Sequence, residues 1–193
     1  MIKREMYMSR IRPFIGSELI KVVTGIRRSG KSVMLELVKQ ELIESGVSTD
    51  NFISFNFEDM NYAALCNAKA LHDEITARAK SIQGKIYLFF DEIQEVTDWE
   101  KCINSLRVSI ECDIYITGSN AKLLSGELAT YLAGRYVEFV IYPFSFAEFI
   151  DMYKSVIPHE SIQQCFQKYL IYGGMPYLGK LQYAEEPVRQ YLC

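Results

Sequence analysis

Apolar residues recur along this chain in two alternating patterns. Short runs rich in β-branched and aromatic residues are typical of strands, whereas apolar residues spaced three and four positions apart are typical of helices. The runs predict strands at residues 20–24, 51–57, 85–91, 113–117 and 136–142. The periodic stretches predict helices at residues 32–45, 65–82, 99–110 and 121–133. Strands that alternate with helices predict an α/β fold of three layers around a mostly parallel, five-stranded sheet.

After Pro143 the pattern becomes helical only, at residues 145–153 and 159–172, which predicts a C-terminal helical extension. We therefore expect a main domain at residues 1–155, and a helical connector or the start of a further domain at residues 156–193. The last residues open like a helix, with acidic residues followed by Pro187, and stop within two turns. This suggests that the chain is the N-terminal piece of a longer protein.

The composition is that of a globular protein, with 49% hydrophobic and 23% charged residues among 193. A net charge of −3 excludes a basic field over the whole chain for binding nucleic acid or anionic membranes. The N-terminus alone carries a group of basic residues, and we interpret Lys3, Arg4, Arg10 and Arg12 as a solvated arm.

Neither a membrane segment nor a secretion signal is visible in the sequence. No apolar run reaches the roughly 18 residues that span a bilayer, and the first residues lack a hydrophobic signal core. The five cysteines have no spacing typical of a metal site. We therefore expect a cytoplasmic protein with free thiols that does not bind membranes.

The sharpest motif is the octapeptide GIRRSGKS, which fits G-x-x-x-x-G-K-[ST] between a predicted strand and a predicted helix. In such a loop, backbone N–H groups and the positive N-terminus of the following helix face phosphate oxygens. Lys31 would neutralise the β- and γ-phosphates, and the Ser32 hydroxyl would hold Mg²⁺. The predicted phosphate-binding residues are Gly25, Ile26, Arg27, Arg28, Ser29, Gly30, Lys31, Ser32 and Val33.

Two carboxylates, Asp91 and Glu92, stand at the end of the apolar strand predicted at residues 85–91. The carboxyl ends of parallel strands form the edge of a sheet where ligands bind, so Asp91 would emerge beside the loop that holds Lys31. We predict that Asp91 binds Mg²⁺ and that Glu92 takes a proton from the water that attacks the γ-phosphorus. The alternative, that both carboxylates cap the next helix or lie in solvent, stays open.

Two further polar residues are candidates for catalysis. Asn120 follows the fourth predicted strand and could orient the water or contact the γ-phosphate, although Gly, Ser and Asn are also ordinary turn residues. Arg135 precedes the fifth strand and could neutralise charge in the transition state, in its own chain or in a neighbouring one. Equally, Arg135 could simply suit the negative end of the preceding helix.

Four segments, taken in order along the chain, resemble a prokaryotic AAA-type P-loop ATPase family, whose ATPase domain is followed by a C-terminal domain. These segments are GIRRSGKS, FFDEIQ, YITGSNAKLLSG and LAGRYVEFVIYPFSFAEF. The resemblance covers about residues 10–180, and YLIYGGMP is similar to the connector into that domain. It implies that Lys31 and Ser32 bind ATP and Mg²⁺, that Asp91 and Glu92 are the Walker B residues, and that Asn120 is a sensor. A lid-domain sensor arginine is not evident, with Arg189 the only late candidate.

We therefore expect an ATPase that hydrolyses ATP with Mg²⁺ to switch an attached C-terminal domain or a protein client. A nucleotide-binding regulatory module without turnover and a small-molecule phosphotransferase are the alternatives. A homo-oligomer and binding of nucleic acid both stay open, although nothing in this segment supports the latter.

Overall fold

The computed structural model describes residues 2–118, 132–181 and 186–187. The strands of the described part are β1 (Ile20–Gly25), β2 (Phe52–Asn56), β3 (Ile86–Asp91), β4 (Cys112–Thr117) and β5 (Tyr136–Ile141). Its α-helices are α1 (Glu5–Ile11), α2 (Lys31–Glu44), α3 (Ala68–Ala79), α4 (Trp99–Ser109), α5 (Phe146–Val156) and α6 (Ile162–Tyr172). Short 3-10 helices lie at Arg12–Phe14, Thr49–Asn51, Met60–Leu65, Ile93–Glu95 and Pro176–Gly179.

The five strands form one sheet in the order β2-β3-β4-β1-β5, and every neighbouring pair is parallel. This confirms the predicted fold class. In register, Val23 pairs with Thr117, Gly25 with Ile141, and the last residue of β3 with Asn56. The loops that follow β1, β3 and β4 therefore leave the sheet at the same edge.

Helices cover both faces of the sheet and complete the three layers. On one face, α1 and α2 bury Ile11 and Val38 against Phe89 of β3. On the other face, α3 and α4 bury Leu71 and Ile103. Because both faces are covered, β3 is continuously apolar from Ile86 to Phe90, as its sequence indicated.

The C-terminal helices form a third apolar cluster, in which Phe149 and Tyr153 of α5 pack with Cys165 and Tyr172 of α6. Phe144, just after β5, belongs to the same cluster. Residue 155, near which we expect a domain boundary, lies in the last turn of α5. None of the helices in the described ranges is both long and apolar enough to cross a membrane.

Two helices begin later than predicted, because a capping residue sets the position of the first turn. Residue 65 ends a 3-10 helix, and α3 begins only after Asn67, whose side chain accepts a hydrogen bond from the N–H of Ala70 at 2.9 Å. The helix predicted from residue 159 begins at Ile162, because Ser161 and Gln164 form a capping box. The predicted helix at residues 121–133 lies almost entirely outside the described residues.

The N-terminus departs furthest from the prediction, because residues 5–11 form helix α1 against the sheet. Lys3, Arg10 and Arg12 are exposed, as expected of a solvated arm, but Arg4 is only 2% exposed. For Arg4 the interpretation was wrong, since its guanidinium is held by groups from distant parts of the chain. The free thiols predicted from the sequence are found at the four described cysteines.

Candidate functional site

The segment between β1 and α2 turns at its two glycines. Gly25 has φ 149°, and a Cβ there would lie 2.2 Å from the carbonyl oxygen of Ile141. Gly30 is the N-cap of α2 with φ 101°, a left-handed conformation that glycine adopts without strain. Arg28 is also left-handed, with φ 67°. The predicted phosphate loop is therefore an observed turn that ends at the N-terminus of a 14-residue helix.

The residues of this loop differ in exposure. Ile26 is 56% exposed, and the side chains of Arg27 and Arg28 are exposed as well. Ser29 is fully buried, and its hydroxyl has no hydrogen-bond partner among the described residues. A buried hydroxyl without a partner is uncommon in folded proteins, so Ser29 Oγ is a donor that no described protein group uses.

Lys31 lies inside the site and joins the two predicted motifs. Its side chain is 5% exposed, and Nζ lies 3.5 Å from Glu92 Oε1 and 3.5 Å from the carbonyl oxygen of Ile26. The Glu92 side chain is 17% exposed. The structure thus brings together a cation and a carboxylate that the sequence predicted from separate motifs.

The two carboxylates after β3 are oriented by Thr117 at the end of β4. The Thr117 hydroxyl donates a hydrogen bond to Asp91 Oδ1 and accepts one from the backbone N–H of Glu92 at 3.0 Å. Asp91 is 8% exposed. Glu92 has a left-handed backbone, φ 52°, and its Oε2 accepts a hydrogen bond from Gln94 Nε2 at 2.6 Å. The carboxylates are therefore held in different directions, one by Thr117 and the other by Gln94 and Lys31.

The donor set suits Mg²⁺. Ser32 is exposed in the first turn of α2, and Asp91 lies at the end of β3 at the same edge of the sheet. Hydroxyl and carboxylate oxygens are hard ligands, and Mg²⁺ is usually bound through one or two carboxylates, phosphate oxygens and water. Residues 2–118, 132–181 and 186–187 contain no cluster of three or more His, Cys, Asp or Glu side chains, and a Mg²⁺ site of this kind does not require one.

Arg135 lies at the other edge of the sheet. Its carbonyl oxygen accepts a hydrogen bond from the N–H of Ile20, the first residue of β1, and its Nη1 donates to Asn104 at 2.9 Å. The length of β1, roughly 17 Å at about 3.3 Å per residue, separates it from the loop. A role for Arg135 at a phosphate held by its own chain does not fit this position, while a role in a neighbouring chain stays a prediction. Asn120 lies outside the described residues.

Thr117, Gln94 and Arg4 orient groups of the site, and none of the three lies in a motif that predicts this role. Thr117 carried one signal, since it ends a strand beside the Asp91 strand. The sequence offered no comparable signal for Arg4, because its partners lie up to 144 positions away.

Comparison with known proteins places this geometry in context. A family model described as "AAA domain" matches residues 17–150. An uncharacterized protein of Haemophilus influenzae is 43% identical over 190 residues, which make up 98% of this chain and 47% of that protein. An uncharacterized protein of Methanocaldococcus jannaschii is 35% identical over 164 residues, or 81% of this chain and 35% of that protein. The chain thus spans about half or less of these relatives.

Solved structures share the fold at low identity. AMPPCP-bound DnaA from Aquifex aeolicus has a TM-score of 0.64 and 16% identity, covering 94% of this chain and 60% of DnaA. Hsp104 from S. cerevisiae, in complex with casein, has a TM-score of 0.60 and 18% identity, covering 93% of this chain and 36% of Hsp104. These likenesses show the fold alone. Because the family model covers most of the chain and the motif residues meet at one edge of the sheet, the chain belongs to the AAA domain family.

Proposed function

We propose that this chain binds ATP in the loop between β1 and α2, hydrolyses it with Mg²⁺, and uses the reaction to switch an attached or partner domain. The observation that carries the proposal is the position of Lys31, 3.5 Å from Glu92 Oε1 at the N-terminus of α2. Family membership supports nucleotide binding, and DnaA, which shares the fold, binds AMPPCP.

Binding would use the loop backbone and Lys31. N–H groups of the first turn of α2 are available for phosphate oxygens, because the first N–H groups of a helix have no partner within it. Lys31 is paired with Glu92 in the structure, so phosphate oxygens would compete with Glu92 for its ammonium group. Transfer of Lys31 to the phosphates would free one carboxylate oxygen of Glu92.

Glu92 is the best-placed general base. Its other oxygen stays bound to Gln94 at 2.6 Å, and its backbone is fixed by Thr117, so the carboxylate keeps its direction when Lys31 leaves. A carboxylate oriented in this way can accept a proton from water that attacks a phosphorus atom. Asp91 and Ser32 would hold Mg²⁺, which neutralises charge on the β- and γ-phosphates.

The test is steady-state ATP turnover by the wild type and by Glu92→Gln, with release of inorganic phosphate as the readout. Loss of a general base typically costs about 10²- to 10⁴-fold in rate. We expect a fall of this size with nucleotide affinity retained or improved, because Lys31 loses its competing partner. Glu95→Gln is the matched control, since Glu95 is an exposed residue of the same loop, and it should turn over ATP at the wild-type rate.

The same assay separates the alternatives. Tight binding of ATP with no phosphate release by the wild type would favour a regulatory module that does not turn over. Formation of ADP without release of inorganic phosphate, only when a small-molecule acceptor is added and with the phosphoryl group found on that acceptor, would favour a phosphotransferase. Equal rates for wild type and Glu92→Gln would remove Glu92 from the mechanism.

A further inference from the structure

Arg4 is a buried cation that touches the loop, the end of β5 and helix α5 at once. The residue is 2% exposed and precedes α1 with a left-handed backbone, φ 48°. Its Nη1 donates to the carbonyl oxygen of Ser29 at 3.0 Å, and its Nη2 donates to that of Tyr142 at 2.8 Å. Its Nε donates to Glu148 Oε1 at 3.0 Å. One guanidinium thus connects segments that are remote in sequence.

Aromatic rings hold this guanidinium in place. The Arg4 Cζ atom lies 4.6 Å from the ring centroid of Tyr7 and 5.1 Å from that of Phe144. Both distances are within the range of cation–π attraction. The Tyr7 hydroxyl also accepts a hydrogen bond from the N–H of Tyr142 at 3.1 Å. The N-terminal segment is therefore fixed to the chain that leads from β5 into α5.

The contact with Ser29 acts on the phosphate loop. A trans peptide is planar, so its N–H points opposite to its C=O. Fixing the carbonyl oxygen of Ser29 therefore fixes the direction of the Gly30 N–H, one of the donors available to a phosphate. A Cβ on Gly30 would lie 3.6 Å from Arg4 Nη1, which shows how closely the guanidinium approaches this turn.

The C-terminal helices meet the same place. The side chain of Glu148 in α5 is 12% exposed and accepts hydrogen bonds from both Arg4 and the N–H of Ser145. Beyond α6, the carbonyl oxygen of Gly174 accepts a hydrogen bond from the N–H of Phe144 at 2.6 Å. Pro176 follows, with Cγ 3.8 Å from where a Gly30 Cβ would lie. The helical extension and the phosphate loop are therefore neighbours joined through Arg4.

We propose that Arg4 is a positioning residue for the phosphate loop, and that its pairing with Glu148 couples nucleotide occupancy of the loop to the arrangement of α5 and α6. The inference rests on the proposed nucleotide binding. A phosphate that accepts a hydrogen bond from the Gly30 N–H displaces the peptide whose carbonyl oxygen Arg4 holds. Arg4 transmits this displacement to Glu148. Because coupling between two sites is reciprocal, the position of α5 also sets the affinity of the loop.

The test combines calorimetric titration of MgATP with hydrogen exchange of the α6 backbone in the presence and absence of MgATP. In the wild type we expect binding and a nucleotide-dependent change in exchange across α6. Arg4→Lys keeps the charge but cannot bridge three acceptors in one plane, since lysine is a point donor. It should weaken MgATP binding by about tenfold, the effect of one hydrogen bond to a charged group, and abolish the exchange change.

Glu148→Gln should leave the loop contacts of Arg4 in place and reduce the exchange change in α6. In the Arg4→Lys background, Glu148→Gln should have no additional effect, because the pathway is already broken. Arg10→Lys on the exposed face of α1 and Asp151→Asn on the exposed face of α5 are matched controls and should behave like the wild type.

Each result decides between the claims. A wild type that binds no MgATP overturns the proposed function and this inference with it. A wild type that binds, together with an Arg4→Lys protein of equal affinity and unchanged exchange response, overturns the inference alone. Should Arg4→Lys fail to fold, as circular dichroism would reveal, Glu148→Gln decides: a full wild-type exchange response in that variant refutes the coupling.

Discussion

Replacement of Lys31 by methionine removes the ammonium group and keeps most of the stem, so it isolates the charge at the centre of the site. In the protein without nucleotide, Nζ lies 3.5 Å from a Glu92 oxygen that is partly accessible to solvent. Both side chains are mostly buried, so the desolvation of the two charges offsets most of their attraction, and the pair contributes about 1 kcal/mol or less to stability. Glu92 keeps its hydrogen bond from Gln94, so its carboxylate is not left without a partner.

The nucleotide complex should respond more strongly. A charge-assisted hydrogen bond from Lys31 to phosphate is worth about 3 kcal/mol, and binding gives up the ion pair with Glu92, worth about 1 kcal/mol. The difference of about 2 kcal/mol predicts that Lys31→Met raises the Kd for MgATP about 30-fold. The free energy of unfolding without nucleotide should fall by only about 1 kcal/mol.

The assay is calorimetric titration of MgATP into both proteins, with urea unfolding of each in nucleotide-free buffer. Lys39→Met is the control, because Lys39 lies on the same helix and donates to Glu36 and Ser54 instead. A Kd for Lys31→Met within threefold of the wild type would refute a phosphate contact. A loss of more than about 3 kcal/mol in unfolding free energy would show that Lys31 is a structural residue.

Three further predictions concern the scaffold. Asp113→Ala leaves the fully buried Lys21 without its carboxylate, and the Gly16 N–H and Tyr115 hydroxyl without their acceptor, so it should lower the urea-unfolding free energy by about 3–5 kcal/mol. Lys21→Met combined with Asp113→Asn, which keeps an oxygen for those two donors, should recover part of the loss, and equal losses would contradict this. Burial raises the pKa of Glu148, but hydrogen bonds from Arg4 and Ser145 outweigh it and hold the pKa below its ordinary value. The stabilisation from this pairing is complete above the ordinary pKa of a glutamate and is lost as the pH falls through the lowered pKa. The free energy of unfolding plotted against pH should therefore fall less steeply on the acid side in Glu148→Gln than in the wild type. An equal slope would contradict the pairing. Gly25→Ala would place a Cβ 2.2 Å from a carbonyl oxygen of β5 and should cost about 1–3 kcal/mol in the same urea assay, so a wild-type unfolding curve would contradict the close approach.

The parts of the fold that depend on local pattern were predictable from the sequence. Strand ends agree with the predictions within one residue, because the strands are short runs of mostly apolar residues bounded by turn residues. The loop between β1 and α2 was predictable because its glycines are required by the turn itself. The order of the strands was not predicted, since it depends on contacts between elements far apart in the chain.

One interpretation near the site was wrong, that of Arg4 as a solvated residue. Arg4 could not be identified as buried, because a short basic segment gives no sign of acceptors that other elements bring to it. Arg135 directly precedes the fifth strand, as the sequence indicated; the phosphate loop follows a strand, so the two lie at opposite edges of the parallel sheet, and a role for Arg135 in a neighbouring chain stays a prediction.

A crystal structure of the protein with AMPPCP and Mg²⁺ tests the central claim most directly. We expect the γ-phosphate to lie against Lys31 and the metal to lie between Ser32 and Asp91. The carboxylate of Glu92 should have exchanged its contact with Lys31 for one with water. A nucleotide bound elsewhere, or a γ-phosphate whose nearest protein groups exclude Lys31, would contradict it.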